Sequence, residues 1–120
     1  MAKILVADDQ ESMRKIISGM LVEAGHEVAT AEDGLAAFDL LQQSSFDLIV
    51  ADINMPRLNG LEFLKKVREA YPRSRVIFVT GMTEDTVRLG SENLGLAGLI
   101  LKPFDKAGAL ETIEKVLQQK

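Results

Sequence analysis

Short, almost uninterrupted apolar runs recur along this chain, each followed by a stretch with helical spacing. Residues 3–7 (KILVA), 47–51 (DLIVA) and 76–80 (VIFVT) are brief, rich in β-branched residues and Leu, and bounded by turn formers. A strand with one face in water alternates apolar and polar side chains. These runs do not alternate, so they need cover on both faces, as central strands of a parallel sheet have. Residues 27–31 (EVATA) and 99–101 (LIL) read as two further strands. Helical spacing falls between and after them, at residues 12–24, 34–43, 61–71, 84–94 and 108–119. In the first of these, Met13, Ile16, Ile17, Met20 and Leu21 make an i, i+3, i+4, i+7, i+8 stripe. Gly25, Pro72 and Gly95 stand where helices should stop. Strand and helix thus alternate as βα units, which implies a doubly wound α/β domain with right-handed crossovers. The fourth helix is intrinsically the weakest. Thr86, Gly90, Ser91 and Asn93 together cost it roughly 2–3 kcal/mol relative to alanines.

Composition narrows the function classes. At 120 residues the chain is expected to be one domain, residues 1–120, with no linker or repeat. Hydrophobic residues are 47% and aromatics 5%, so the core must be aliphatic. Lys and Arg number 14 against 18 Asp and Glu, which gives no general field for nucleic acid or an anionic membrane. The absence of Cys removes disulfides, thiolate metal sites and Cys nucleophiles. No signal-peptide layout opens the sequence, and no apolar stretch approaches the ~20 residues of a membrane span. The expected location is the cytoplasm.

In an open parallel sheet, functional groups collect beyond the carboxyl ends of the strands. After the first strand come Asp8 and Asp9. After the third comes Asp52, then Ile53-Asn54-Met55-Pro56 and, later, Gly60. The fourth ends in Thr80-Gly81 and the fifth in Lys102-Pro103-Phe104. Three carboxylates, a hydroxyl and an ammonium would share one rim. At ~4 Å and an effective dielectric near 20, each pair of charged carboxylates costs about 4 kcal/mol, so either their pKa values rise or a cation sits among them. With no His or Cys at this rim, every side-chain ligand is an oxygen, which favours Mg²⁺ over Zn²⁺. A carboxylate can act as covalent nucleophile in phosphoryl transfer. The residues alone do not choose among the three aspartates.

In order, spacing and strand context, Asp8-Asp9, Asp52-Ile53-Asn54-Met55-Pro56 with Gly60, Thr80 and Lys102-Pro103 resemble the receiver domain of two-component response regulators, over essentially the whole chain. The resemblance implies a flavodoxin-like (βα)5 three-layer sandwich with strand order 2-1-3-4-5, the order that chemotaxis receivers illustrate. It makes Asp52 the phosphoacceptor. Asp9 and Asp52 would ligate Mg²⁺ directly, Asp8 through water and Asn54 through its backbone carbonyl, while Thr80 and Lys102 would bind phosphoryl oxygens. It further implies a cis Lys102–Pro103 bond. The donor would be a histidine kinase or phosphotransfer protein docking near Met13, Ile16, Ile17 and Phe104. The α4-β5-α5 surface would meet a downstream protein target of unknown identity. Such a domain assists its own phosphorylation and dephosphorylation and has no separate substrate. It is expected to be a monomer, or a dimer once phosphorylated.

Leu99 departs from the family pattern, because receivers commonly carry Tyr or Phe three positions before the lysine. A threonine-to-aromatic switch has no aromatic partner here, so the response is expected in the fourth helix and its flanks. A receiver cut from a longer regulator or hybrid histidine kinase would read the same way. A flavin module would want a Ser/Thr/Gly-rich phosphate loop where Asp8-Asp9-Gln10-Glu11 stands. An aspartyl phosphatase would separate its two aspartates by one residue. Elsewhere the plain readings hold: Ser12 as first-helix cap, His26 as a lone surface histidine, Met13 and Met20 as core, and Lys65, Lys66 and Arg68 as a solvated helix face.

Overall fold

The computed structural model describes residues 2–91 and 94–119. The elements follow as β1 (Lys3–Ala7), α1 (Glu11–Glu23), β2 (Glu27–Ala31), α2 (Gly34–Gln43), β3 (Leu48–Asp52), α3 (Gly60–Ala70), β4 (Val76–Thr80), α4 (Glu84–Gly90), β5 (Gly98–Leu101) and α5 (Lys106–Gln118). All strand pairings are parallel, and the sheet order is β2-β1-β3-β4-β5. This is the doubly wound order expected from the resemblance.

The apolar runs explain the layering. Successive strand side chains point to opposite faces, so Ile4, Val6, Leu48, Val50, Ile77 and Val79 join one core with α1 and α5. Leu5, Ala7, Ile49, Ala51, Val76 and Phe78 join another with α2, α3 and α4. Every residue of β3 and β4 is buried. Edge strands β2 and β5 are only partly covered, which is why EVATA carries polar residues. Met20 is buried and Met13 half-buried against the α1/α5 core, as core readings require.

The helix starts show local chemistry. Asp33, Asn59, Thr83 and Asp105 cap α2, α3, α4 and α5 by accepting N–H groups of Ala36, Glu62, Thr86 and Gly108. Asn59 and Glu62 form a reciprocal capping box. At α1 the expected cap is wrong. Ser12 lies inside the helix, and Gln10 holds the N-cap position without a side-chain bond. The reason lies just upstream, where Asp8 Oδ1 accepts the Gln10 N–H at 2.9 Å and sets the chain's entry.

Helix α4 ends at Gly90, short of residue 94; Glu92 and Asn93 of the expected span lie outside the described residues. At its end Ser91 Oγ donates to the Val87 carbonyl at 2.7 Å, closing the last turn. Gly25 and Gly95 take positive φ (94° and 65°), but Gly95 sits in the connection to β5, beyond Gly90 where α4 ends among the described residues.

Two surface assignments also fail. The His26 side chain is only 7% exposed; its Nδ1 accepts the Ala2 N–H at 3.1 Å and its Nε2 lies 2.7 Å from Glu114 Oε1, tying the start of β1 to α5. Arg68 is no solvated cation. It donates to the carbonyls of Leu94, Pro72 and Ser74, joining the end of α3 to the connections around it. Lys65 and Lys66 are exposed, and Lys66 Nζ stands 5.3 Å over the centre of the Phe38 ring.

Candidate functional site

The carboxyl ends of β1, β3, β4 and β5 bring the six expected residues to one rim, each set by its strand. Asp52 is the last residue of β3 and is buried. Its Oδ1 accepts the Asn54 N–H at 3.2 Å, and its Oδ2 lies 3.2 Å from Lys102 Nζ. Asp8 follows β1 and is 1% exposed. Its N–H donates to the Ala31 carbonyl, and its own carbonyl accepts from Arg14 Nη1 at 2.8 Å. Asp9, next in sequence, is exposed. Asp8, Asp9 and Asp52 each offer a carboxylate oxygen within 4.8 Å of the others.

The electrostatics of this cluster are unfinished. Asp8 Oδ2 is buried with no hydrogen-bond partner among the described residues, and Lys102 Nζ stands 4.0 Å away. Burial pushes the Asp8 carboxyl above its usual value, and the neighbouring Asp52 charge adds to this. The Gln10 N–H and Lys102 oppose it without prevailing. One ammonium cannot balance three carboxylates, so the donor set suits a further hard cation with oxygen ligands.

Thr80 is the fully buried last residue of β4. Its Oγ1 accepts the Met82 N–H at 3.1 Å, which leaves the O–H proton available to another acceptor. Its carbonyl accepts the Lys102 N–H at 2.7 Å, so main-chain pairing carries Lys102 to the rim. The Lys102–Pro103 bond is cis, as expected. Asn54 is exposed in the connection from β3 to α3. Leu99 is half-buried in β5, facing the core with α4. Ile16 is 56% exposed on α1, close to Met13, Pro103 and Phe104.

Sequence reading missed a contact beside this rim. Asp33, which caps α2, is buried, and Arg57 Nε donates to its Oδ2 at 2.7 Å, with Nη2 on the same oxygen. Burial works against the Asp33 charge, but the Ala36 N–H and the Arg57 guanidinium outweigh it and hold the carboxyl below its usual value. Asp33 ahead of the α2 pattern was a readable cap signal; its distant Arg57 partner left no local trace.

A doubly wound sheet with carboxylates after β1 and at the end of β3 and a lysine after β5 defines the receiver class. The chain matches the response regulator receiver domain over residues 4–114, and it belongs to that family, the signalling domain of two-component response regulators. Among particular relatives it is similar to the chemotaxis protein CheY of Bacillus subtilis, with 34% identity over 116 residues, 96% of this chain and 97% of the other. In structure it resembles chemotaxis regulator CheY4 of Vibrio cholerae, with TM-score 0.91, 37% identity, and 97% and 98% of the two chains covered. It also resembles the response regulator TrrA of Thermotoga maritima, solved with Mg²⁺ and BeF, with TM-score 0.88, 29% identity, and 97% and 99% covered.

Proposed function

We propose that this receiver accepts a phosphoryl group on Asp52 from a phosphohistidine of a histidine kinase or phosphotransfer protein, with Mg²⁺ as cofactor. The observation that carries the proposal is the pairing of Asp52 with Lys102 inside an acidic cluster whose Asp8 Oδ2 is left without a partner among the described residues. A TrrA structure containing Mg²⁺ and BeF lends support from the same family. Asp9 and Asp52 would hold the metal directly, Asp8 through water and Asn54 through its main-chain carbonyl. Bound there, Mg²⁺ supplies positive charge to the phosphoryl oxygens.

In the transfer, a carboxylate oxygen of Asp52 forms its bond to phosphorus as the P–N bond of the donor histidine breaks, and the electron pair stays with the imidazole. Lys102 Nζ, now on Asp52 Oδ2, moves to a phosphoryl oxygen. The Thr80 hydroxyl donates to another while still accepting from Met82. That shift pulls on residues 81–83, which lead into α4, and the response emerges on the α4-β5-α5 surface toward a downstream protein. Half-buried Leu99 has no polar tip to reorient. The donor docks over α1 and the β5–α5 connection, where Ile16 is exposed beside Phe104.

The domain works as one unit over residues 1–120 in the cytoplasm, either by itself or as the receiver segment of a longer regulator or hybrid kinase. It assists its own phosphorylation and acts on no separate substrate. No helix among the described residues is long and apolar enough to cross a membrane. Acetyl phosphate with Mg²⁺ should add one labile phosphoryl group by intact mass, absent in Asp52→Asn. A peptide map placing that group on Asp8 would overturn the assignment.

A further inference from the structure

The connection from β3 to α3 is fastened at three points. At its neck the Gly60 N–H donates to the Ile53 carbonyl at 2.7 Å, and a Cβ on Gly60 would stand 2.6 Å from Ile53 Cα, so the two arms of the loop touch. At its inner side Asn54 N–H is held by Asp52 Oδ1. At its outer tip Arg57 takes φ 66°, a left-handed conformation that non-glycine residues seldom adopt, and its guanidinium reaches back to Asp33. Next to that pair, Leu58 O lies only 2.5 Å from where a Cβ on Gly34 would be, so the loop rests directly on the first turn of α2. Asp33 also receives the Ala36 N–H at 2.8 Å, which fixes its carboxylate before Arg57 arrives.

We propose that the Asp33–Arg57 clamp is a positioning device for metal binding, holding the β3–α3 loop so that the Asn54 carbonyl faces the acidic cluster. The inference rests on the proposed role of Asn54 as a main-chain ligand. Arg57 touches neither the metal nor the phosphoryl group; it acts through the loop. The guanidinium suits the task because its planar fork donates from two nitrogens and defines direction as well as charge.

Charge and position predict different outcomes for one substitution. Arg57→Asn removes a positive charge from the domain, so long-range electrostatics alone would leave Mg²⁺ binding unchanged or slightly tighter. If the clamp positions the loop, the same variant binds Mg²⁺ more weakly, by roughly ten-fold, the lower end of what loss of an outer support costs at other metal sites. Asn tolerates the left-handed backbone, so the loop gains no new strain. Asp33→Asn keeps a capping oxygen for Ala36 and loses the ion pair; it should weaken Mg²⁺ binding by a similar factor. The double variant should be no weaker than the weaker single, and Arg57→Lys should restore only part of the loss.

Mg²⁺ alone is titrated by calorimetry into the full chain and its variants, with denaturant midpoints measured in parallel. A merely structural clamp would lower the midpoint and leave the Mg²⁺ affinity unchanged. Arg57→Asn binding Mg²⁺ as tightly as wild type, or more tightly, overturns the clamp. Asp9→Ala separates the two levels. If it weakens Mg²⁺ binding while Arg57→Asn does not, only the clamp fails. If Asp9→Ala binds as wild type does, the metal reading itself fails and the clamp's role falls with it.

Discussion

Replacing Asp8 by asparagine should stabilise the metal-free protein. The wild-type carboxylate is 1% exposed, has one N–H bond to Oδ1 and none to Oδ2, and shares its pocket with Asp9 and Asp52. Lys102, at 4.0 Å, is shared with Asp52 and compensates in part. In the Asp8→Asn variant the amide oxygen can keep the Gln10 N–H, while the amide nitrogen replaces the orphaned oxygen and donates toward a neighbouring carboxylate. Relieving one buried, unsatisfied polar atom is worth about 1–2 kcal/mol, or ~4–8 °C in a domain of this size. The pH dependence has a definite sign. Because the folded-state pKa of Asp8 is raised, its ionisation opposes folding above that raised value, and the penalty vanishes below the unfolded value of 3.8. The advantage of Asp8→Asn should therefore grow as pH rises above 3.8 and shrink as pH falls toward it. Urea unfolding with a chelator present, repeated across that range, measures it. Saturating Mg²⁺ should narrow the gap, because the metal offsets the wild-type charge. A variant less stable than wild type in chelator at pH 7 would refute the reasoning, for it would mean that the Asp8 charge already has adequate partners.

Gly60→Ala should destabilise the fold by about 1–3 kcal/mol in denaturant titration, because its Cβ meets main-chain atoms at 2.6 and 2.7 Å that cannot swing aside; an unchanged midpoint would count against the tight loop neck. His26 should carry its proton on Nε2 when neutral, since Nδ1 accepts from Ala2, and nitrogen chemical shifts of the ring report the tautomer. His26→Ala should cost about 1–2 kcal/mol of unfolding free energy by losing those bonds.

Much of the fold was legible because the determining physics is local. β1, β3 and β4 are buried on both faces, so their sequences lack the polar alternation of a half-exposed strand, and their ends mark the rim where Asp8, Asp9, Asp52, Thr80 and Lys102 meet. What escaped reading depends on partners distant in the chain. His26 is a surface residue by composition, yet its side chain is covered because Glu114 and Ala2 arrive beside it. Arg68 resembles its exposed neighbours Lys65 and Lys66 until the carbonyls of Leu94, Pro72 and Ser74 converge on it. Ser12 has good capping chemistry, yet Asp8 fixes the start of α1 earlier. The resemblance to receivers, rather than spacing, singled out Asp52 among the aspartates.

The sheet seals one apolar interior from the other, and this bears on how such a domain can diverge. α1 and α5 pack on one side, whereas α4 inserts Val87 on the other. Substitutions more than ~7–10 Å apart with no shared neighbours usually add in their effects on stability. On the proposed docking, changes that retune the α1 surface for a new donor thus leave the seat of α4 intact, and changes under α4 leave α1 intact, whereas α5 shares its interior with α1. Lineages can therefore alter the α1 surface and the seat of α4 in separate steps, without passing through an unfolded intermediate sequence. That independence ends in the strands, which feed both interiors, and β5 at the sheet edge is one of them. Ile100 belongs to one side and Leu99 packs against the other, so a substitution in this four-residue strand is felt by both.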